Sequence, residues 1–206
     1  SLTYNGPIKL FYRGPMFRHE KVQKGRQRQF HQLGIESFGL KEPSSDAEQI
    51  IMLSRLWKTL GLEKIIRLEI NSIGDKEDRE QYRKELIDYF EKNLEILDDD
   101  AKRRLHKNPM RILDSKNPQM QDMLEKAPKL IDSINEDAKN HFNLLCQILK
   151  DNQVDFQLNK RLVRGLDYYN RTVFEWITTD LGSQGTVAGG GRYDYLVERL
   201  GGKSTP

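Results

Sequence analysis

The 206-residue sequence predicts an α+β fold, a mostly antiparallel sheet flanked by helices and interrupted by a helical insertion. Three observations predict it. Residues that suit a sheet gather toward the two ends of the chain. Between them, residues 75–155 are dense in charge, with apolar positions at helical spacing. No internal repeat or low-complexity tract offers a different architecture.

The elements follow in order. Ile8-Lys9-Leu10-Phe11-Tyr12-Arg13 suits a strand, which Gly14-Pro15 interrupts and Met16-Phe17-Arg18 resumes. The polar run 19–28 has no apolar period and reads as a loop. Phe30, Gln32, Gly34, Glu36 and Phe38 then alternate with His31, Leu33, Ile35 and Ser37, which predicts a second strand antiparallel to the first. Ser44-Ser45-Asp46 reads as the cap of a helix over 47–60, and Gly61 can end it. A strand is expected over 65–70. In the central stretch the spacing predicts a helix over 77–93, with Tyr82, Leu86, Tyr89 and Phe90 on its face. It predicts another over 137–152 with Phe142, Leu145 and Leu149 inward, and prolines 109, 118 and 128 punctuate the pieces between. Asp98-Asp99-Asp100 followed by Lys102-Arg103-Arg104 reads as a solvated helix end. Beyond Phe156 a strand is expected over 172–178, then a turn at Gly182-Ser183-Gln184-Gly185 and a strand at Thr186-Val187-Ala188. Gly189-Gly190-Gly191 and a short helix over 193–200 follow.

Composition excludes several classes. Mean hydropathy is −0.75, and no apolar run approaches the ~20 residues of a membrane span, so no membrane partner is expected. The single cysteine, Cys146, excludes an internal disulfide framework and a Cys-built zinc site. His19, His31, His106 and His141 show no ligand spacing, so no metal site of the protein's own is expected. No basic-then-apolar leader opens the sequence, and the expected compartment is the cytoplasm. A net charge of +3 does not by itself demand nucleic acid.

Four clusters can carry chemistry. Arg18, His19, Glu20, Lys24, Arg26 and Arg28 lead to Phe30. A guanidinium at a strand end can grip phosphate or carboxylate with two hydrogen bonds, although a solvated hairpin would read the same way. Gln32 and Glu36 share a strand face with three other positions of that alternation, either as aimed groups in a pocket or as an exposed polar face. Arg164-Gly165-Leu166-Asp167-Tyr168-Tyr169 sets an arginine against a glycine and two phenols, as a ligand contact or simply a turn. The glycines 189–191, between a strand and a helix, read as a substrate cradle or as tight packing, and their spacing fits neither common phosphate-loop pattern.

Taken together, these residues resemble a known family. Phe17-Arg18-His19-Glu20, the basic loop and Gly25-Arg26-Gln27-Arg28-Gln29-Phe30 resemble motif 2 of a class II aminoacyl-tRNA synthetase. The continuation His31-Gln32-Leu33-Gly34, the run Leu162-Val163-Arg164-Gly165-Leu166-Asp167-Tyr168-Tyr169, and Gly190-Gly191-Arg192-Tyr193-Asp194 resemble the histidyl branch, bacterial in type. The resemblance implies a catalytic core in two parts, 1–74 and 156–206, around a helical insertion over 75–155 that leans on the tRNA acceptor stem. It implies a ligase that activates histidine with ATP and Mg2+ and transfers it to the cognate histidine tRNA. Arg18 and Arg164 are the implied catalytic residues. Arg18, Glu20, Arg26 and Phe30 would bind ATP, while Gln32, Glu36, Arg164, Tyr169 and Tyr193 would bind histidine. A homodimer is implied for the complete protein. Motif 1, motif 3 and the anticodon-binding domain are expected outside these 206 residues. The alternative is a regulatory relative in histidine biosynthesis that binds histidine without charging tRNA. The intact first histidine motif and the helical stretch speak against it.

Overall fold

A computed structural model describes residues 6–19, 21–164, 168–181 and 185–206. The first two strands, β1 (Ile8–Phe17) and β2 (Gln29–Phe38), form an antiparallel hairpin whose register sets Tyr12 against Gly34 and Gly14 against Gln32. The expected break at Gly14-Pro15 does not occur. Proline lacks an N–H, but a two-stranded hairpin has two edges, where a missing donor costs the ladder nothing.

Helix α1 (Pro43–Thr59) begins earlier than the cap expected at residues 44–46. Glu42 is its N-cap and Pro43 opens the first turn, where its fixed φ suits the helix. Asp46 is therefore not a cap, and its side chain has other partners, described below. Three strands follow: β3 (Arg67–Ser72), the two-residue β4 (Gln157–Leu158) and β5 (Asn170–Ile177). With β6 (Thr186–Arg192) they make a sheet ordered β4-β3-β5-β6, antiparallel except at β3/β4. The glycines 189–191 are thus part of β6 rather than a loop cradle, and helix α6 (Leu196–Arg199) starts later than expected. Part of the turn expected before β6, residues 182–184, lies outside the described residues.

The intervening helices are α2 (Lys76–Glu91), α3 (Asp99–Arg104), α4 (Gln121–Lys126) and α5 (Glu136–Asp151), with 3-10 turns between α3 and α5. Asp98 caps α3 by accepting from the Ala101 N–H, so the acidic-then-basic run is a whole short helix with charges matched to its dipole. Asn135 caps α5 in the same way through the Ala138 N–H.

Two apolar cores result. One gathers Tyr82, Leu86, Phe90, Leu105, Leu113 and Leu124 among the central helices. The other packs Ala47 and Ile50 of α1 and Leu145 and Leu149 of α5 against Leu68, Ile70, Phe174 and Trp176 of the sheet. Each fully buried Leu, Ile or Phe contributes roughly 1.5–3 kcal/mol. By packing, α5 joins the sheet's core even though it lies within the helical stretch.

Candidate active site

A cleft of about 570 Å3 opens between β2 of the hairpin and the edge strand β6. Its lining joins three distant stretches of chain, 12–53, 164–174 and 186–194, together with Pro206. Arg18, Gln32, Glu36, Arg164, Tyr169 and Tyr193 all line it. The sequence expected these six at one site, and the fold brings them together.

Strand alternation explains the hairpin's share. Gln32, Gly34 and Glu36 point one way because successive side chains alternate faces. Tyr12 lies over Gly34, where any Cβ would stand 2.1 Å from the phenol ring, and its hydroxyl accepts a hydrogen bond from Gln32 at 2.9 Å. Arg18 follows β1. Its backbone N–H still bonds to the Arg28 carbonyl, and its guanidinium stacks on the Phe30 ring, 4.8 Å from the centroid.

Across the cleft, the glycines of β6 let β5 and its side chains pack closely against that strand. A Cβ on Gly190 would come within 2.8 Å of the Phe174 ring, and one on Gly191 within 2.4 Å of the Thr172 carbonyl. Tyr193, just beyond the strand, donates its hydroxyl to Glu36 and so links the two sheets. Its ring meets Phe38, Tyr168 and Tyr169 edge-on. Burial, with the Glu36 hydrogen bond behind it, pushes the Tyr193 phenol far above its ordinary pKa. Burial and the neighbouring Tyr169 push Tyr168 up to about 12. These phenols therefore stay protonated as hydrogen-bond donors. Arg164 spans the cleft wall, with Nη1 2.7 Å from Glu175 and Cζ 5.5 Å from the Tyr169 centroid.

In the wall of the cleft lies a polar knot, built around the buried Asp46, that sequence reasoning missed. Asp46 accepts from Thr172 at 2.5 Å and shares a 2.8 Å hydrogen bond with His141 of α5. It also pairs with Arg192 at 3.0 Å. Arg192 in turn holds Asp194 and the Leu40 carbonyl, and Asp194 takes the Asn170 amide. Burial alone would raise the Asp46 pKa. The His141 hydrogen bond, the Arg192 charge and the Thr172 hydrogen bond outweigh it, so the carboxyl sits below its usual range. The knot fixes the backbone on either side of Tyr193. No local pattern could have announced it, because Asp46 lies 95 residues from His141 and 146 from Arg192.

The remaining expected residues stand apart. Arg26 is in the tight turn at the hairpin tip, where its backbone pairs with Gln23, and it does not line the cleft. Phe30 does not line the cleft, but its ring lies under the Arg18 guanidinium, which does. Glu20 lies outside the described residues, as do Gly165, Leu166 and Asp167 of the first histidine motif. Among the described residues no group of three or more His, Cys, Asp or Glu side chains could hold a metal ion.

The family model for histidyl-tRNA synthetase matches residues 1–206. The histidine–tRNA ligase of Methylobacillus flagellatus is 64% identical over all 206 residues, which span 49% of that protein. The solved apo histidyl-tRNA synthetase of S. aureus is 37% identical with a TM-score of 0.75, over 98% of this chain and 48% of that one. A structure described as an ATP phosphoribosyltransferase regulatory subunit/histidyl-tRNA synthetase, from Bacillus halodurans C, has a TM-score of 0.61 over 96% of this chain and 54% of its own. At 22% identity it speaks for the fold alone. The chain spans about half the length of the relatives it matches.

Proposed function

Because the chain belongs to the histidyl-tRNA synthetase family, we propose that its cleft activates histidine with ATP and passes the histidyl group to the cognate tRNA. In the first step the histidine carboxylate attacks the α-phosphorus. A C–O–P bond forms, the bond to the leaving oxygen breaks, and pyrophosphate departs with the electron pair. In the second step a terminal ribose hydroxyl of the tRNA attacks the activated carbonyl and releases AMP. The observation that carries this reading is the meeting of six expected side chains in one cleft from three separate stretches of chain.

Each residue's part follows from its chemistry. Negative charge grows on the phosphate oxygens as the new bond forms, and the guanidinium groups of Arg18 and Arg164 stabilise it. Glu36 and Tyr169 take the two nitrogens of the substrate imidazole, with Tyr193 holding Glu36 in the wall. A site built to pair both ring nitrogens rejects side chains that leave them unpaired. Gln32 takes the amino end. Phe30 stacks on adenine, Glu20 holds its edge, and Arg26 meets the distal phosphates from the hairpin tip. Mg2+ enters with the triphosphate as part of the substrate, which suits a cleft whose phosphate-facing groups are arginines.

We assign residues 1–74 and 156–206 to the catalytic core and 75–155 to a helical insertion that meets the tRNA. The complete protein acts in the cytoplasm as a homodimer. The test is ATP–pyrophosphate exchange by the full-length protein. Exchange that requires histidine, and that Arg164→Ala abolishes while the fold persists, supports the reading. Undiminished exchange by Arg164→Ala removes Arg164 from the mechanism.

A further inference from the structure

We propose that Glu175, a residue behind the cleft, is a positioning residue that sets the orientation of Arg164. The inference rests on the histidine-activating reading of the cleft and adds a residue to it. Glu175 sits in the middle of β5, directly opposite Glu69 on β3 and Gly189 on β6. It does not line the cleft. Its two oxygens have separate duties: Oε1 accepts from Arg164 Nη1 at 2.7 Å, and Oε2 accepts from Thr186 Oγ1 at 2.9 Å. The carboxylate is thus pinned on one side by the first residue of β6 and holds the guanidinium on the other.

The surroundings reserve this arrangement. Two carboxylates face each other across β3 and β5, a repulsive pairing unless each has its own partner. Glu69 takes the Asn159 amide at 2.6 Å and lies 3.7 Å from Arg67, so Arg164 is left to Glu175. Gly189 leaves the space the pair occupies. A methyl group there would stand 2.8 Å from Arg164 Nη1 and 3.4 Å from Glu175 Cγ. With Nη1 committed, the guanidinium is held at one corner while Arg164 itself lines the cleft. Its Nε is buried and has no hydrogen-bond partner among the described residues, so it does nothing to fix the orientation that the Glu175 bond sets.

The pair is partly buried, with 24% and 22% of the side-chain surfaces in solvent, so breaking it costs some stability as well, and the orientation role is read in variants that remain folded. Orientation is where the pair can matter, because a reacting group displaced by about 1 Å can cost on the order of 100-fold in rate.

The test is histidine-dependent ATP–pyrophosphate exchange by the full-length protein. We expect Glu175→Ala to lower kcat by about 10- to 100-fold, with the KM values for histidine and ATP changing far less. Glu175→Gln, whose amide oxygen still accepts from Arg164, should recover part of the loss. Thr186→Val should give a smaller loss of the same kind, and Thr186→Ser should restore it. In an Arg164→Lys background, Glu175→Ala should cost little more, since its effect passes through the arginine. Thermal unfolding checks that each variant is folded, and if Glu175→Ala is not, Glu175→Gln and Thr186→Val carry the test. Wild-type kcat in the folded Glu175 and Thr186 variants, with Arg164→Ala inactive, overturns the positioning role alone. An equal loss from Glu175→Ala in both backgrounds overturns it too. Full activity of Arg164→Ala overturns both this inference and the reading of the cleft.

Discussion

The Tyr193 hydroxyl donates to the Glu36 carboxylate across the cleft, joining the segment after β6 to the middle of β2. Among the described residues the two sheets share no ladder hydrogen bonds, so this bond fixes the spacing between them at the place proposed for the imidazole. Buried hydrogen bonds to charged groups contribute about 1.5–3 kcal/mol. Tyr193→Phe should therefore lower kcat/KM for histidine by roughly 10- to 100-fold, mostly through KM, with the KM for ATP little changed. Steady-state exchange at varied histidine checks this.

The Asp46 knot predicts a pH dependence of stability. The folded pKa of Asp46 is lowered, so its contribution is fully present above about pH 4 and is lost as pH falls through the folded value. Asp46→Asn removes the more buried of the two carboxylates paired with Arg192 and leaves Asp194, so it should cost up to about 3 kcal/mol at neutral pH, the low end for breaking a buried pair. The gap between wild type and variant should narrow below about pH 4. Urea unfolding from pH 7 down to pH 2.5 measures both.

The glycines of β6 predict a contrast with the glycine of β1. Gly191→Ala would drive a methyl group to 2.4 Å from the Thr172 carbonyl. It should destabilise by about 1–3 kcal/mol and raise the KM for histidine, since Tyr169 lies against the same position. Gly14→Ala meets nothing within 4 Å and should stay within about 0.5 kcal/mol of wild type. Denaturant midpoints of the two variants separate the cases.

Much of this was legible in the sequence because it is periodic or local. The alternation through Gln32 and Glu36 gave the strand and the face, and the helical spacing of Tyr82, Leu86 and Phe90 gave the central core. What escaped was set by partners far away in the chain. Asp46 looks like a cap beside two serines, yet its position in the first turn of α1 turns it toward Arg192, Thr172 and His141. The three glycines read either as a substrate cradle or as tight packing, and the β5 ladder holds them in a strand, packed so that the Phe174 ring fills the space where a Gly190 side chain would stand. Glu175 carries no motif. Its importance lies in Arg164, 11 residues away.

The most direct test of the central claim is amino-acid-dependent ATP–pyrophosphate exchange by the full-length protein, run with histidine and with other amino acids in turn. The account predicts exchange with histidine, none with the others, and its loss in a folded Arg164→Ala variant. Tight histidine binding without exchange by a folded wild-type protein would contradict it and leave a cleft that recognises histidine but does not activate it.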